Sequence, residues 1–358
     1  MLARMWPDRR VLELLGVDLP ILQAPMAGAG RAALAIAVNA AGGLGALPCA
    51  MLSPDDIRDD VAAVRRAGAR PFNLNFFCHT PPAPDPAALD AWRRRLAAYH
   101  REHDLDPDAP VAAAGRAPFD AARCALVEEL RPAVVSFHFG LPAPDLLARV
   151  RACGARVLAS ATTVAEARWL ADRGCDAIIA QGAEAGGHRG MFLTDDPAAQ
   201  VGTMALVPQI VDAVAVPVIA AGGIGDARGI AAAFALGAAA VQLGTAYLLC
   251  PESAVSPVHR AALRAAGDDA TAITNVFTGR PARGLINRLV RELGPLADVP
   301  AFPLAAGPLA ALRARAESRA SGDFSPLWSG QAAPLARELP AEELTRRLAA
   351  ETLARLAR

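Results

Sequence analysis

Short continuous apolar runs alternate along this chain with longer stretches whose apolar positions recur at helical spacing. Strands buried on both faces read as continuous apolar runs, and their regular alternation with amphipathic segments marks βα units around a parallel sheet. Eight runs read as strands, at 20–24, 44–47, 72–76, 134–138, 156–160, 176–180, 217–221 and 240–243. Helix signals fall in phase with them. Ser53-Pro54 supplies an N-cap and a first-turn proline, with Gly68 as the stop. Thr163 through Glu166 has the spacing of a capping box, and Gly174 closes that helix. Asp226 can cap a helix that Gly237 ends.

Two regions break the rhythm. Residues 78–132 are too long for one connection and open on the proline-rich turn Thr80-Pro81-Pro82-Ala83-Pro84, followed by helical patterns at 87–103 and 120–130. Residues 247–335 follow the eighth strand, and 342–358 read as a closing barrel helix. The fold class expected is α/β: a (β/α)8 TIM barrel formed by 1–246 and 336–358, with a small additional helical module, 247–335, inserted after strand 8 on the substrate side.

Composition narrows the function classes. The chain has 358 residues, enough for a barrel of about 250 residues plus an extra module. Its 36 basic and 36 acidic residues leave no net field to attract nucleic acid or an anionic membrane. Every basic residue is Arg, which excludes a Schiff-base or general-base lysine. Six cysteines show no CxxC or zinc spacing and read as free thiols in a reducing cytoplasm. The opening MLARMWPDRR lacks the apolar core of a signal peptide. The uncharged stretches 32–54 and 229–250 are broken by Gly, Asn, Gln or Pro. Each reads as a buried helix joined to a buried strand, not as a membrane span. No metal-binding spacing and no nucleophile elbow is present.

In such a barrel the chemistry sits just after the strands, at their C-terminal ends. Unusual residues gather there. Gly222-Gly223 after strand seven and Gln242-Leu243-Gly244-Thr245 after strand eight suit a phosphate site, where backbone amides approach an anion closely. Without lysine, amides, a hydroxyl and at most an arginine must hold that phosphate, which favours a resident cofactor monophosphate. Ala24-Pro25-Met26 offers an apolar turn on which a ring face could rest. Asn75 and Gln181 are amide side chains at strand ends, suited to a flavin's polar edge or to local loop bonds. Gly186, Gly187 and His188 lie in a Gly-Gly-His-Arg-Gly loop with little packing to hold a structural imidazole, so His188 is the candidate proton acceptor. His138 is the second candidate. Glu184, four residues before His188, reads as a solvated carboxylate.

At these residues the chain resembles the nitronate monooxygenase family, formerly called 2-nitropropane dioxygenases, of the class I type. The most specific pieces are Ser136-Phe137-His138-Phe139-Gly140, Gln181 through Gly190, and Ala220-Ala221-Gly222-Gly223-Ile224. The resemblance implies non-covalent FMN, with contacts at Asn75, Gln181, Gly186, Gly223 and Gln242 through Thr245. It implies oxidation of alkyl nitronates, such as propionate 3-nitronate, by O2 to a carbonyl compound and nitrite. His188 matches the family's catalytic histidine and His138 a second active-site histidine. One departure is Arg31 in the first loop, where a small hydroxyl residue is expected. The expected partners are a nitronate or nitroalkane and O2, and a homodimer is admitted. Two rivals remain: an FMN-dependent NAD(P)H:quinone or enoyl reductase on the same barrel, and a redox-inactive barrel binding a phosphate ligand.

Overall fold

The computed structural model describes residues 6–111 and 115–357; the opening residues 1–5, part of the stretch read as lacking a signal peptide's apolar core, lie outside them. Among the described residues nine strands appear before residue 245: β1 (Ile21–Gln23), β2 (Gly45–Pro48), β3 (Phe72–Phe77), β4 (Val134–His138), β5 (Arg156–Ala161), β6 (Ala177–Gln181), β7 (Gly187–His188), β8 (Val218–Ala221) and β9 (Ala240–Leu243). All but β7 form one parallel sheet in the order β1-β9-β8-β6-β5-β4-β3-β2. A parallel bridge between Leu22 and Leu44 joins the two ends, so the sheet closes into a barrel.

The apolar runs explain this placement. Every residue of β2, β3, β6 and β8 is buried, as strands enclosed by helices outside and packed side chains inside must be. The intervening helices begin where polar caps allow. Ser53 and Asp56 form a full capping box, and the Asp226 carboxylate accepts from the N–H groups of Arg228 and Gly229. At Thr163 only half of the expected box forms. Its hydroxyl accepts from Glu166 N, whereas the fully buried Glu166 carboxylate accepts from Thr162, Phe192 and Leu193 N–H groups instead. That carboxylate thus ties down the segment following β7. The helix Ala341–Leu356 closes the ring against helices Ala32–Ala41 and Ala227–Ala235. Among the described residues, no helix is long and apolar enough to cross a membrane.

The segment after β9 is not purely helical. Besides helices Pro257–Arg264, Arg288–Leu293 and Ala310–Ser318 it carries β10 (Thr271–Thr274) and β11 (Ala282–Leu285). These pair antiparallel, and β11 pairs in turn with β7, setting Ala282 opposite His188 and Arg283 opposite Gly187. A second apolar core joins this segment to the long connection before β4. Trp92, Leu96 and Tyr99 of helix Pro86–Glu102 pack with Phe277, Leu312 and Phe324, and the Trp92 indole N–H donates to the Ala305 carbonyl at 3.1 Å. The two stretches that broke the strand–helix rhythm therefore form one body over the barrel mouth.

Candidate active site

A cavity of about 250 Å³ opens at the C-terminal ends of the barrel strands. Ala24, Pro25 and Met26 after β1 line it, with Asn75 on β3, His138 on β4 and Gln181 on β6. Gly186, Gly187 and His188, then Gly222, Gly223, Gln242, Gly244 and Thr245, complete the set expected from sequence. Leu243 is the exception. It is 1% exposed, its side chain belongs to the barrel core, and its backbone carbonyl accepts from Ala24 N at 2.8 Å. Strand alternation accounts for this: Gln242 and Leu243 are neighbours and point to opposite faces.

One side of the cavity presents bare backbone amides. The N–H groups of Gly222, Gly223, Gly244 and Thr245 have no protein acceptor among the described residues. Gly222 has φ +114°, and a Cβ there would lie 3.0 Å from Ala185 N and 3.1 Å from the Gly182 carbonyl. Thr245 opens a short 3-10 turn, and its hydroxyl oxygen accepts from Gly330 N at 2.9 Å, leaving its proton to donate. Four free N–H groups and a hydroxyl make an anion cradle without any lysine. A carboxylate close by would oppose an anion, and Glu184 adjoins Gly223. Its charge is turned away instead: both oxygens lie 2.9–3.0 Å from Thr203 N, and Oε2 accepts from the Thr203 hydroxyl at 2.8 Å. Glu184 thus caps the helix Thr203–Ala213 and is neither a free loop carboxylate nor a partner of His188. Arg31 is absent from the cavity wall; it pairs with Asp60 at 2.6 Å.

The amide side chains divide their tasks. Asn75 Nδ2 donates to Ser136 Oγ at 2.9 Å, and its Oδ1 has no partner among the described residues. Gln242 makes no side-chain hydrogen bond among them and half-faces the cavity. Gln181 is committed at both ends: Nε2 donates to the His188 carbonyl at 3.0 Å, and Oε1 accepts from Gly190 N at 2.7 Å. It supports the histidine segment and, with one Nε2 proton and one Oε1 lone pair left, still lines the cavity.

His188 does not sit in a loose loop. It lies on β7, laddered to β11, and its carbonyl also accepts from His138 Nε2 at 3.1 Å. A carbonyl only accepts, so His138 carries its proton on Nε2, and its Nδ1 accepts from the Ser160 hydroxyl at 3.1 Å. Burial, opposed by that carbonyl bond and reinforced by Arg280, pushes His138 down to about 3. Both of its nitrogens are occupied, which makes it a support for His188 and leaves it no lone pair for substrate. His188 itself is held well below its ordinary range, first by burial and then by the Arg116 charge, so it is a neutral imidazole at pH 7. Its Nε2 lies 2.9 Å from Thr278 Oγ1. Phe302 and Trp328 pack around the ring at 5.3 Å centroid separations.

Four further wall residues, Arg116, His259, Arg313 and Trp328, carry no signal as site residues in the sequence. All but Arg116 come from the segment after β9, where no local motif announces them. Among the described residues, no cluster of His, Cys, Asp and Glu could hold a metal ion.

Comparison with known proteins gives concordant results. The model of the family described as "Nitronate monooxygenase" matches residues 8–351. A nitronate monooxygenase of Pseudomonas aeruginosa is 43% identical over 345 residues, 96% of this chain and 98% of that protein. The structure of a nitroalkane oxidase from Streptomyces ansochromogenes superposes with a TM-score of 0.87 at 40% identity, covering 98% of this chain and all of the other. FabK from Thermotoga maritima superposes with a TM-score of 0.70 at 29% identity, over 97% of each chain.

Proposed function

This chain belongs to the nitronate monooxygenase family, and from that premise we propose that it holds FMN non-covalently and oxidises alkyl nitronates with O2 to a carbonyl compound and nitrite. The observation that carries the reading is one cavity in which a cradle of unpaired amides lies alongside a neutral imidazole. The residues present fit the cofactor. The N–H groups of Gly222, Gly223, Gly244 and Thr245 would hold its phosphate, while Asn75 Oδ1 and the Gln242 amide would meet the polar edge of its ring. When bound, the flavin supplies the redox chemistry; the protein supplies binding, orientation and electrostatics.

A nitronate is already a carbanion equivalent and needs no proton removed. With a neutral nitroalkane, the neutral His188 ring accepts the α-proton. Arg116 and Arg313 line the cavity and favour an anionic substrate, which suits propionate 3-nitronate with its additional carboxylate. In this reading residues 247–335 form the substrate-side module, and the six unpaired thiols suit the cytoplasm. The test is an absorption spectrum of the purified protein followed by anaerobic titration with propionate 3-nitronate and, separately, NADH. Nitronate should bleach the flavin bands. Rapid bleaching by NADH with none by nitronate would overturn the proposal in favour of a reductase. Replacing Arg313 by Gln should raise KM for propionate 3-nitronate about tenfold, the worth of roughly 1.4 kcal/mol, with little change for ethyl nitronate.

A further inference from the structure

The main chain of His188 is fixed by β11, His138 and Gln181. Phe77, Phe139, Phe302 and Trp328 pack around the ring, but none of them sets the position of its single proton. Among the described residues, one side chain hydrogen-bonds the ring. Thr278 is 1% exposed, and its Oγ1 lies 2.9 Å from His188 Nε2 and 3.4 Å from the Arg280 carbonyl. The turn that presents it depends on Gly279, at φ +88°, where a Cβ would collide with the Pro300 carbonyl.

We propose that Thr278 is a positioning residue that selects the tautomer of His188, keeping the proton on Nε2 and presenting the Nδ1 lone pair to the cavity. A hydroxyl has one proton to give. The Arg280 carbonyl only accepts, so the arrangement that satisfies both contacts has Thr278 donating to Arg280 and accepting from His188 Nε2–H. In the reverse arrangement Thr278 donates to Nε2 and the Arg280 contact is lost. The bond to Arg280 is long, so the bias is about tenfold, within reach of one ordinary hydrogen bond. A second effect acts in the same direction. Arg116, on the cavity wall, places positive charge near the ring, which disfavours an N–H pointed into the cavity and favours a lone pair there. Nδ1 has no hydrogen-bond partner among the described residues and remains for substrate. A base that must take a proton from carbon needs that lone pair; a nitronate, already deprotonated, does not.

The activity arm of the test rests on the nitronate reading, and the spectroscopic arm does not. In the flavin-loaded protein with ¹⁵N-labelled histidine, at pH 7.5, the two ring nitrogens of His188 report which carries the proton, with assignment by H188Q. The wild type should show Nε2–H. T278V should lose that preference, and T278S should keep it. In parallel, the ratio of kcat/KM for a neutral nitroalkane to that for its nitronate should fall about tenfold in T278V and recover in T278S. A wild type protonated on Nδ1, a T278V tautomer identical to wild type, or a T278V loss shared equally by both substrates would overturn the inference. If T278V does not fold, the wild-type spectrum and T278A decide the same question. An Nε2–H signal in a protein that nitronate fails to reduce would sink the functional reading and leave this one standing.

Discussion

Lowering the pH from 7.5 to 5.5 should destabilise this protein through four histidines that the fold keeps neutral. His79 and His259 are pushed down to about 4 and His138 to about 3, and His188 is held well below its ordinary range, with burial the first cause in every case. The sign follows from proton counting. In the unfolded chain each of these imidazoles takes up a proton near pH 6.5. In the folded protein none does so until the solution is far more acidic. Across the window the unfolded state binds more protons, so stability falls as pH falls. Each histidine costs about 1.4 kcal/mol over those two pH units, and the four together about 5 kcal/mol. That is a third or more of the stability of an ordinary domain. Carboxylates that ion pairs hold low, such as Glu128 and Glu129, begin to titrate only below the window. Urea unfolding at pH 7.5, 6.5 and 5.5, with flavin in constant excess, measures the slope. At pH 5.5 it should approach four protons, and H79Q should reduce it by one. Stability that is flat or rises on acidification would refute the reasoning.

Two further perturbations test the cradle and the second core. G222A forces a Cβ at φ +114° to within 3.0 Å of the Ala185 main chain, so the loop must move; flavin retained per protein should fall at least tenfold while far-UV circular dichroism stays unchanged. W92F removes the donor to the Ala305 carbonyl in a fully buried site; it should cost about 2 kcal/mol in urea unfolding, with flavin affinity unchanged.

What could be read from sequence and what could not divide along a physical line. The eight barrel strands were legible because most are continuous apolar runs, although Asn73 and Asn75 interrupt β3 and Gln242 interrupts β9; Gly222-Gly223 and Gly244-Thr245 stood out because they fall after the last two strands. Local caps such as Asp226 were equally readable. Pairings remote in sequence were not. Nothing near Gly187-His188 signals a strand, because its partner residues, Ala282 and Arg283, lie almost a hundred positions later. The joint core of Trp92 with Phe324 is hidden for the same reason. Leu243 reads with its motif neighbours, although strand alternation turns it away from the cavity. The amide of Gln181 and the nitrogens of His138 needed coordinates, since only geometry shows that each donates to the His188 carbonyl while its other polar atom bonds Gly190 or Ser160.

The ladder between β7 and β11 constrains how this chain can change. Side chains alternate faces along a strand, so slipping β11 by one residue against β7 would present the opposite face beside the imidazole. Insertions and deletions between 275 and 281 should therefore be tolerated poorly, in contrast to those in ordinary surface loops. The segment after β9 is then not an interchangeable cartridge that could be grafted between relatives to alter substrate choice. Any exchange must carry β7 and β11 together, and recombination points belong before residue 182 or after residue 330.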